Sequence, residues 1–152
     1  MSSEGVTAQT AIDLTYEQDY HQWTIEQAQA LRELVNTHYD LKHLEGLDWD
    51  NIIEEIEALG RSEYNAVVSL LMRQIEHRLK IDYVPLPECR NKWKSEVIAF
   101  KVGMARKFAP SMKPKLEREF EKIYQDSVRI VGTEYEISLP SQCPYSLDQL
   151  LY

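Results

Sequence analysis

Apolar residues recur at helical spacing along most of the chain, and the phase of that pattern sets the elements. Tyr20, Trp23, Leu31, Leu34 and Val35, with Gln27 and His38, share one face and predict a first helix over residues 16–38. Thr15-x-x-Gln18 has the spacing of a capping box at its start, and Trp23 is read as core. A second helix is expected over 48–80, with Asp48 as its cap. Its apolar set is Trp49, Ile52, Ile53, Ile56 and Leu59 before Gly60, then Tyr64, Val67, Val68, Leu71, Met72, Ile75 and Leu79. At 100° per residue the centre of this stripe turns by about 90° across Gly60. A straight helix with one packing face keeps its stripe in place. The pattern therefore predicts a bend or break near residue 60, with one bent helix favoured.

Tyr83–Pro87 reads YVPLP, and two prolines at that spacing end a helix. A third helix over 89–109 carries Trp93, Val97, Phe100, Met104 and Phe108 in one amphipathic stripe. Pro110 closes it. Ser111 is read as the cap of a fourth helix over 112–132, with Leu116, Phe120, Ile123, Tyr124, Ser127 and Val131 inward and Gly132 as its stop. Ser146 is placed to cap a short turn over 146–151, whose Leu147, Leu150 and Leu151 would dock on the body. Residues 1–14 are small and polar and are expected to be mobile. The chain from 15 to 152 is then a single all-α domain. The expected architecture is a four-to-five-helix bundle with a long bent central helix and a short C-terminal docking turn.

Composition changes this picture little, but charge changes it more. Five Gly and six Pro in 152 residues suit helices rather than a turn-rich sheet. The net charge of −8 conceals a segregation: residues 1–60 hold 13 acids and two bases, Arg32 and Lys42, whereas residues 61–122 hold 14 bases and eight acids. The simplest expectation is that the acidic front neutralises the basic middle. The sharper one is a basic surface for an anionic partner. Cys89 and Cys143 stand far apart with no Cys-x-x-Cys, so neither a zinc site nor a disulfide framework is indicated. No signal-peptide pattern opens the chain and no apolar run suits a membrane span. The expectation is a cytoplasmic protein with no cofactor, no metal and no membrane association.

Candidate chemistry is sparse. Arg73 and His77 lie one turn apart on the polar side of the second helix. Helical ribonuclease-like domains place an Arg, four to six residues and a His in series, to supply a cation and a general base. Here three residues intervene, so the spacing misses. Glu54, Glu55 and Glu57 cluster on the same helix. No Glu-x-x-His occurs anywhere, which argues against a bridged carboxylate metal site. Glu54, Glu57 and Arg61 are instead read as a charge-pairing or partner surface. Arg90, Lys94 and Lys101, on one edge of the third helix, are the expected partners of Glu54 and Glu57, with phosphate binding as the alternative.

Four blocks carry a family resemblance: Tyr16–Arg32 (YEQDYHQWTIEQAQALR), Leu47–Glu63 (LDWDNIIEEIEALGRSE), His77–Lys80 (HRLK) and Cys143–Leu151 (CPYSLDQLL). With them the chain resembles the bacterial domain-of-unknown-function family 29 from about Tyr16 to Tyr152. The resemblance implies a small all-helical cytoplasmic protein, with no cofactor and no agreed catalytic site. It draws interest to Glu54, Glu57, Gly60, Arg61 and His77. The favoured expectation is a non-catalytic helical interaction or scaffold protein, with a protein partner or homo-oligomer. One alternative is an RNase-like toxin–antitoxin component using Arg73 and His77. Another is a non-catalytic nucleic-acid binder through Arg90, Lys94, Lys101 and Arg106.

Overall fold

The structure is a computed structural model that describes residues 3–152, with side chains described from residue 8 onward. The fold is all-α, and no strand occurs among the described residues. The helices are α1 (Ser3–Gln18), α2 (Tyr20–Thr37), α3 (Tyr39–Lys42), α4 (Trp49–Tyr83), α5 (Arg90–Lys107), α6 (Lys113–Tyr135) and α7 (Leu147–Leu151). Short 3-10 turns at Pro87–Cys89 and Pro110–Met112 lead into α5 and α6. No helix among the described residues is long and apolar enough to cross a membrane.

The chain divides into two compact units, Met1–Tyr64 with Ala109–Met112, and Asn65–Phe108 with Lys113–Tyr152. Helix α4 contributes its first half to one unit and its second half to the other. Each half buries its own face, which accounts for the turn of the apolar stripe. The helix is unbroken through Gly60 for 35 residues.

In the first unit, helix begins well before the apolar pattern does. The expectation of a mobile segment over 1–14 falls partly on Met1 and Ser2, which lie outside the described residues. From Ser3 the chain is helical. Alanines and an i,i+4 hydrogen bond from Gln9 to Asp13 (3.0 Å) suit a helix that has no apolar stripe to announce it. Thr15 is not a cap, because its hydroxyl donates to the Ala11 carbonyl inside α1. Asp19 caps α2 instead, accepting from the Gln22 amide at 2.9 Å. The residues of α2 that pack inward are Thr24, Ala28 and Val35. Trp23, read as core, is half-buried in an aromatic cluster with Tyr16 and Tyr20.

Small residues at 24 and 28 let α4 approach closely. A Cβ added at Gly60 would stand 2.3 Å from the Thr24 hydroxyl. Gly60 therefore marks a close approach between α2 and α4. The Trp49 indole donates to the Leu41 carbonyl at 2.7 Å and pins the link ahead of α4. Ser111, read as a helix cap, ties its turn to α2: its amide and hydroxyl donate to Asp19, and the hydroxyl lies 2.9 Å from His21 Nδ1.

The second unit follows the periodicity closely. Leu71, Ile75 and Leu79 of α4, Trp93, Val97 and Met104 of α5, and Leu116, Ile123, Tyr124 and Val131 of α6 are buried. Ser146 caps α7 by accepting from the Gln149 amide, and Leu147, Leu150 and Leu151 are all buried. Lys113 pairs with Asp148 at 2.9 Å on the same turn.

Gly132 does not stop α6. The helix runs to Tyr135, and Glu136 takes the left-handed conformation at φ 51°. The Ile137 amide then donates back to the Gly132 carbonyl, which is the Schellman closure with glutamate where glycine is preferred. Glu136→Gly is expected to stabilise the protein by about 0.5–1 kcal/mol, read as a raised urea midpoint at unchanged m-value. A loss of stability would mean that the Glu136 side chain contributes more than the backbone strain costs.

Candidate interaction groove

A groove lies between the second half of α4 and the start of α5. It encloses about 360 Å³ and is lined by Arg78, Ile81, Asp82, Lys94, Val97 and Ile98. Val97 belongs to the buried stripe of α5. Ile98 lies outside that stripe and is 65% exposed, with Val102 one turn on at 50%. An apolar floor thus continues into an apolar strip on the surface of α5.

The rim is charged, and its charges are held in different ways. The Arg78 guanidinium donates to Gln74 Oε1 at 2.9 Å and lies 5.8 Å over the Tyr145 ring. Neither contact neutralises it. The Tyr145 hydroxyl donates to Asp82 at 2.6 Å, which occupies the acid on the rim. Burial, and then that bond to the Asp82 carboxylate, push the Tyr145 phenol far above the usual tyrosine range. Tyr145 is therefore a neutral donor under any ordinary condition. Lys94 is exposed and takes no ion pair among the described residues.

Arg73 and His77 do not form an open site. His77 Nδ1 faces the Arg73 carbonyl at 2.8 Å, and its Nε2 lies 2.6 Å from the Glu96 carboxylate. Phe100 packs its ring edgewise on the imidazole. Both ring nitrogens are engaged, and neither is directed at open space where it could take a proton from a substrate. Arg73 is exposed and contributes only its carbonyl to this arrangement. Nearby, burial holds the Glu76 carboxyl above the usual carboxylate range, against the opposing pull of Lys80.

The expected pairing of Glu54 and Glu57 with α5 is not what the structure holds. Glu57 pairs with Arg32 of α2, and Arg61 reaches both Glu54 and Glu57 along its own helix. Those carboxylates find cations within their own unit. Arg90 donates to the Ile81 carbonyl near the end of α4 at 2.8 Å, and Lys101 donates to the Gln149 carbonyl of α7 at 3.2 Å. Two of the four bases read as a phosphate surface are thus committed to backbone carbonyls.

Sequence reasoning missed Glu96, Gln74, Arg78 and Ile98. Glu96 and Arg78 sit on polar flanks with no local pattern to single them out, and Gln74 is a wholly buried polar residue between the apolar positions of α4. Ile98 and Val102 did carry a signal, since they are apolar residues four apart on the face of α5 that should be polar.

The architecture defines an all-α protein with a surface groove between two of its helices. The chain belongs to the family described as Domain of unknown function DUF29, whose model matches residues 15–152. It is similar to an α-helical protein of unknown function from Rhodospirillum rubrum, known from its crystal structure. The identity is 27%, over 90% of this chain and 89% of that one, with a TM-score of 0.76. No curated protein matches the chain.

Proposed function

We propose that this is a non-catalytic cytoplasmic interaction protein that receives an acidic amphipathic helix of a protein partner in the groove between α4 and α5. The observation that carries the reading is the pairing of an exposed apolar strip, Ile98 and Val102, with a rim that holds two cations, Arg78 and Lys94, against one acid, Asp82, which already accepts from Tyr145. An amphipathic helix laid on such a surface buries its apolar face and meets the two cations with its own acids. The engagement of both His77 nitrogens speaks against the ribonuclease reading. The commitment of Arg90 and Lys101 to carbonyls speaks against a phosphate-tracking stripe.

Fluorescence anisotropy with a labelled Leu/Glu-rich helical peptide tests the reading. Micromolar binding is expected, weakened at least ~10-fold by Ile98→Glu, which is about 1.4 kcal/mol. Lys94→Glu should weaken it by a smaller factor and flatten its salt dependence. A Leu/Lys-rich peptide should not bind. Equal binding of both peptides, or no effect of Ile98→Glu, would sink the proposal. Tighter binding of a single-stranded RNA, sensitive to Lys94→Glu, would move the function to nucleic acid. Concentration-dependent self-association abolished by Ile98→Glu would make a second copy the occupant.

A further inference from the structure

The first unit is strongly acidic, with 14 acids against three bases. Residues 1–60 hold two bases, Arg32 and Lys42, and both line one small cavity. Its other walls are Val35, Asn36, Asp50 and Ile53, and it encloses about 170 Å³. Val35 and Ile53 are each 6% exposed, so the floor of the cavity is core.

The charges around this cavity do not cancel in pairs. Arg32 is answered by Glu57. Lys42 and Asp50 have no ion-pair partner among the described residues, although they line the same cavity. Lys42 closes α3 and Asp50 opens α4, so each charge complements its helix end. That accounts for each charge alone. It does not account for an unpaired cation and an unpaired anion lining one cavity whose floor is apolar and whose wall carries an amide.

We infer that this cavity binds a small zwitterion of the α-amino-acid class. The carboxylate meets Lys42, with Asn36 and the remaining guanidinium hydrogens of Arg32 as further donors. The ammonium group meets Asp50. A short aliphatic side chain lies against Val35 and Ile53. The volume corresponds to roughly five or six waters, and is below the range of about 300–1,000 Å³ usual for drug-sized ligands. A compact metabolite suits it better than a nucleotide. Binding is weak, in the millimolar range, because Lys42 and Asp50 are exposed.

Titration calorimetry on the full chain with 2-aminobutyrate, butyrate and butylamine separates the possibilities, because the three share a carbon count and differ in charged groups. The zwitterion is expected to bind at least ~10-fold more tightly than either single-charge analogue, and to raise the Tm with dose. Lys42→Met and Asp50→Asn should each lose at least ~10-fold in affinity with an unchanged helical circular dichroism spectrum. Butyrate binding as well as 2-aminobutyrate would overturn the zwitterion assignment in favour of a plain anion site. No binding of any of the three, or variants that bind like the wild type, would overturn the site itself. None of these outcomes bears on the groove of the other unit, whose peptide assay is independent.

Discussion

Gln74→Leu is expected to cost about 2–4 kcal/mol of stability and to release the C-terminal turn. Gln74 is wholly buried in the second unit. Its amide donates to the Leu150 carbonyl at 3.0 Å and approaches the Met104 sulfur at 3.3 Å. Its oxygen accepts from Arg78 at 2.9 Å. The Leu150 carbonyl belongs to the last turn of α7, where the helix supplies no partner of its own. Leucine has the right volume for the site, so the cost is not a cavity. It comes from a buried carbonyl left without a donor and an Arg78 left without its anchor.

Two measurements follow. The urea midpoint should fall, and limited proteolysis should cut first near the C-terminus. Gln74→Glu provides the contrast, because a carboxylate keeps the contact to Arg78 but cannot donate to Leu150. If the tail bond dominates, it should be at least as damaging as leucine. Since Arg78 stands on the rim of the groove, Gln74→Leu should also weaken the acidic peptide, and Gln74→Glu should do so too, because its carboxylate neutralises Arg78. Wild-type stability in Gln74→Leu would mean that Leu147, Leu150 and Leu151 hold the tail by burial alone.

The second unit was largely legible, and the reasons are local. Trp93, Val97 and Met104, like Leu116, Ile123 and Val131, repeat at helical spacing on one face, and each is buried as that spacing implies. Ser146 was readable because a cap and its helix lie within four residues. Helix α1 was not readable, since it forms without an apolar stripe. The charge pairing was not readable either. Glu57 and Arg32 are 25 residues apart, and nothing in the sequence prefers Arg32 over Lys94 as a partner. The groove escaped for a related reason. Arg78 and Asp82 share a face of α4, but only the packing of α5 makes that face one wall of a cleft. Ile98 was the exception that could have been found. The small cavity was partly legible: Arg32 and Lys42 stand out as the two bases in an acidic stretch. Their convergence with Asp50 requires the turn between α2 and α4.

Gly60→Ala is expected to destabilise the protein by about 1–2 kcal/mol, although alanine is the better helix former by about 1 kcal/mol. The two effects oppose each other, and the contact decides. The new Cβ would lie 2.3 Å from Thr24 Oγ1, far inside van der Waals distance. Thr24 is wholly buried, and its hydroxyl donates to the His21 carbonyl at 2.7 Å. Its branched Cβ restricts rotation. Relief then requires either breaking that hydrogen bond or separating α2 from α4, and overpacking of this kind costs about 1–3 kcal/mol. For a chain of this size, each kcal/mol lowers the Tm by about 2–4 °C.

The decisive experiment is the double-mutant cycle with Thr24→Ala. Removing Oγ1 leaves the Thr24 Cβ at 3.4 Å from the added carbon, a distance that packing tolerates. Thr24→Ala alone loses a buried methyl and a hydrogen bond. In its presence Gly60→Ala should become neutral or stabilising, a coupling of about 1–2 kcal/mol. Thr24→Ser keeps the hydroxyl and should rescue less. Should Gly60→Ala stabilise the wild-type background, residue 60 would be a weak point in α4 that helix propensity repairs. Destabilisation that Thr24→Ala relieves would identify Gly60 as the place where the acidic half of the long helix is allowed to touch α2.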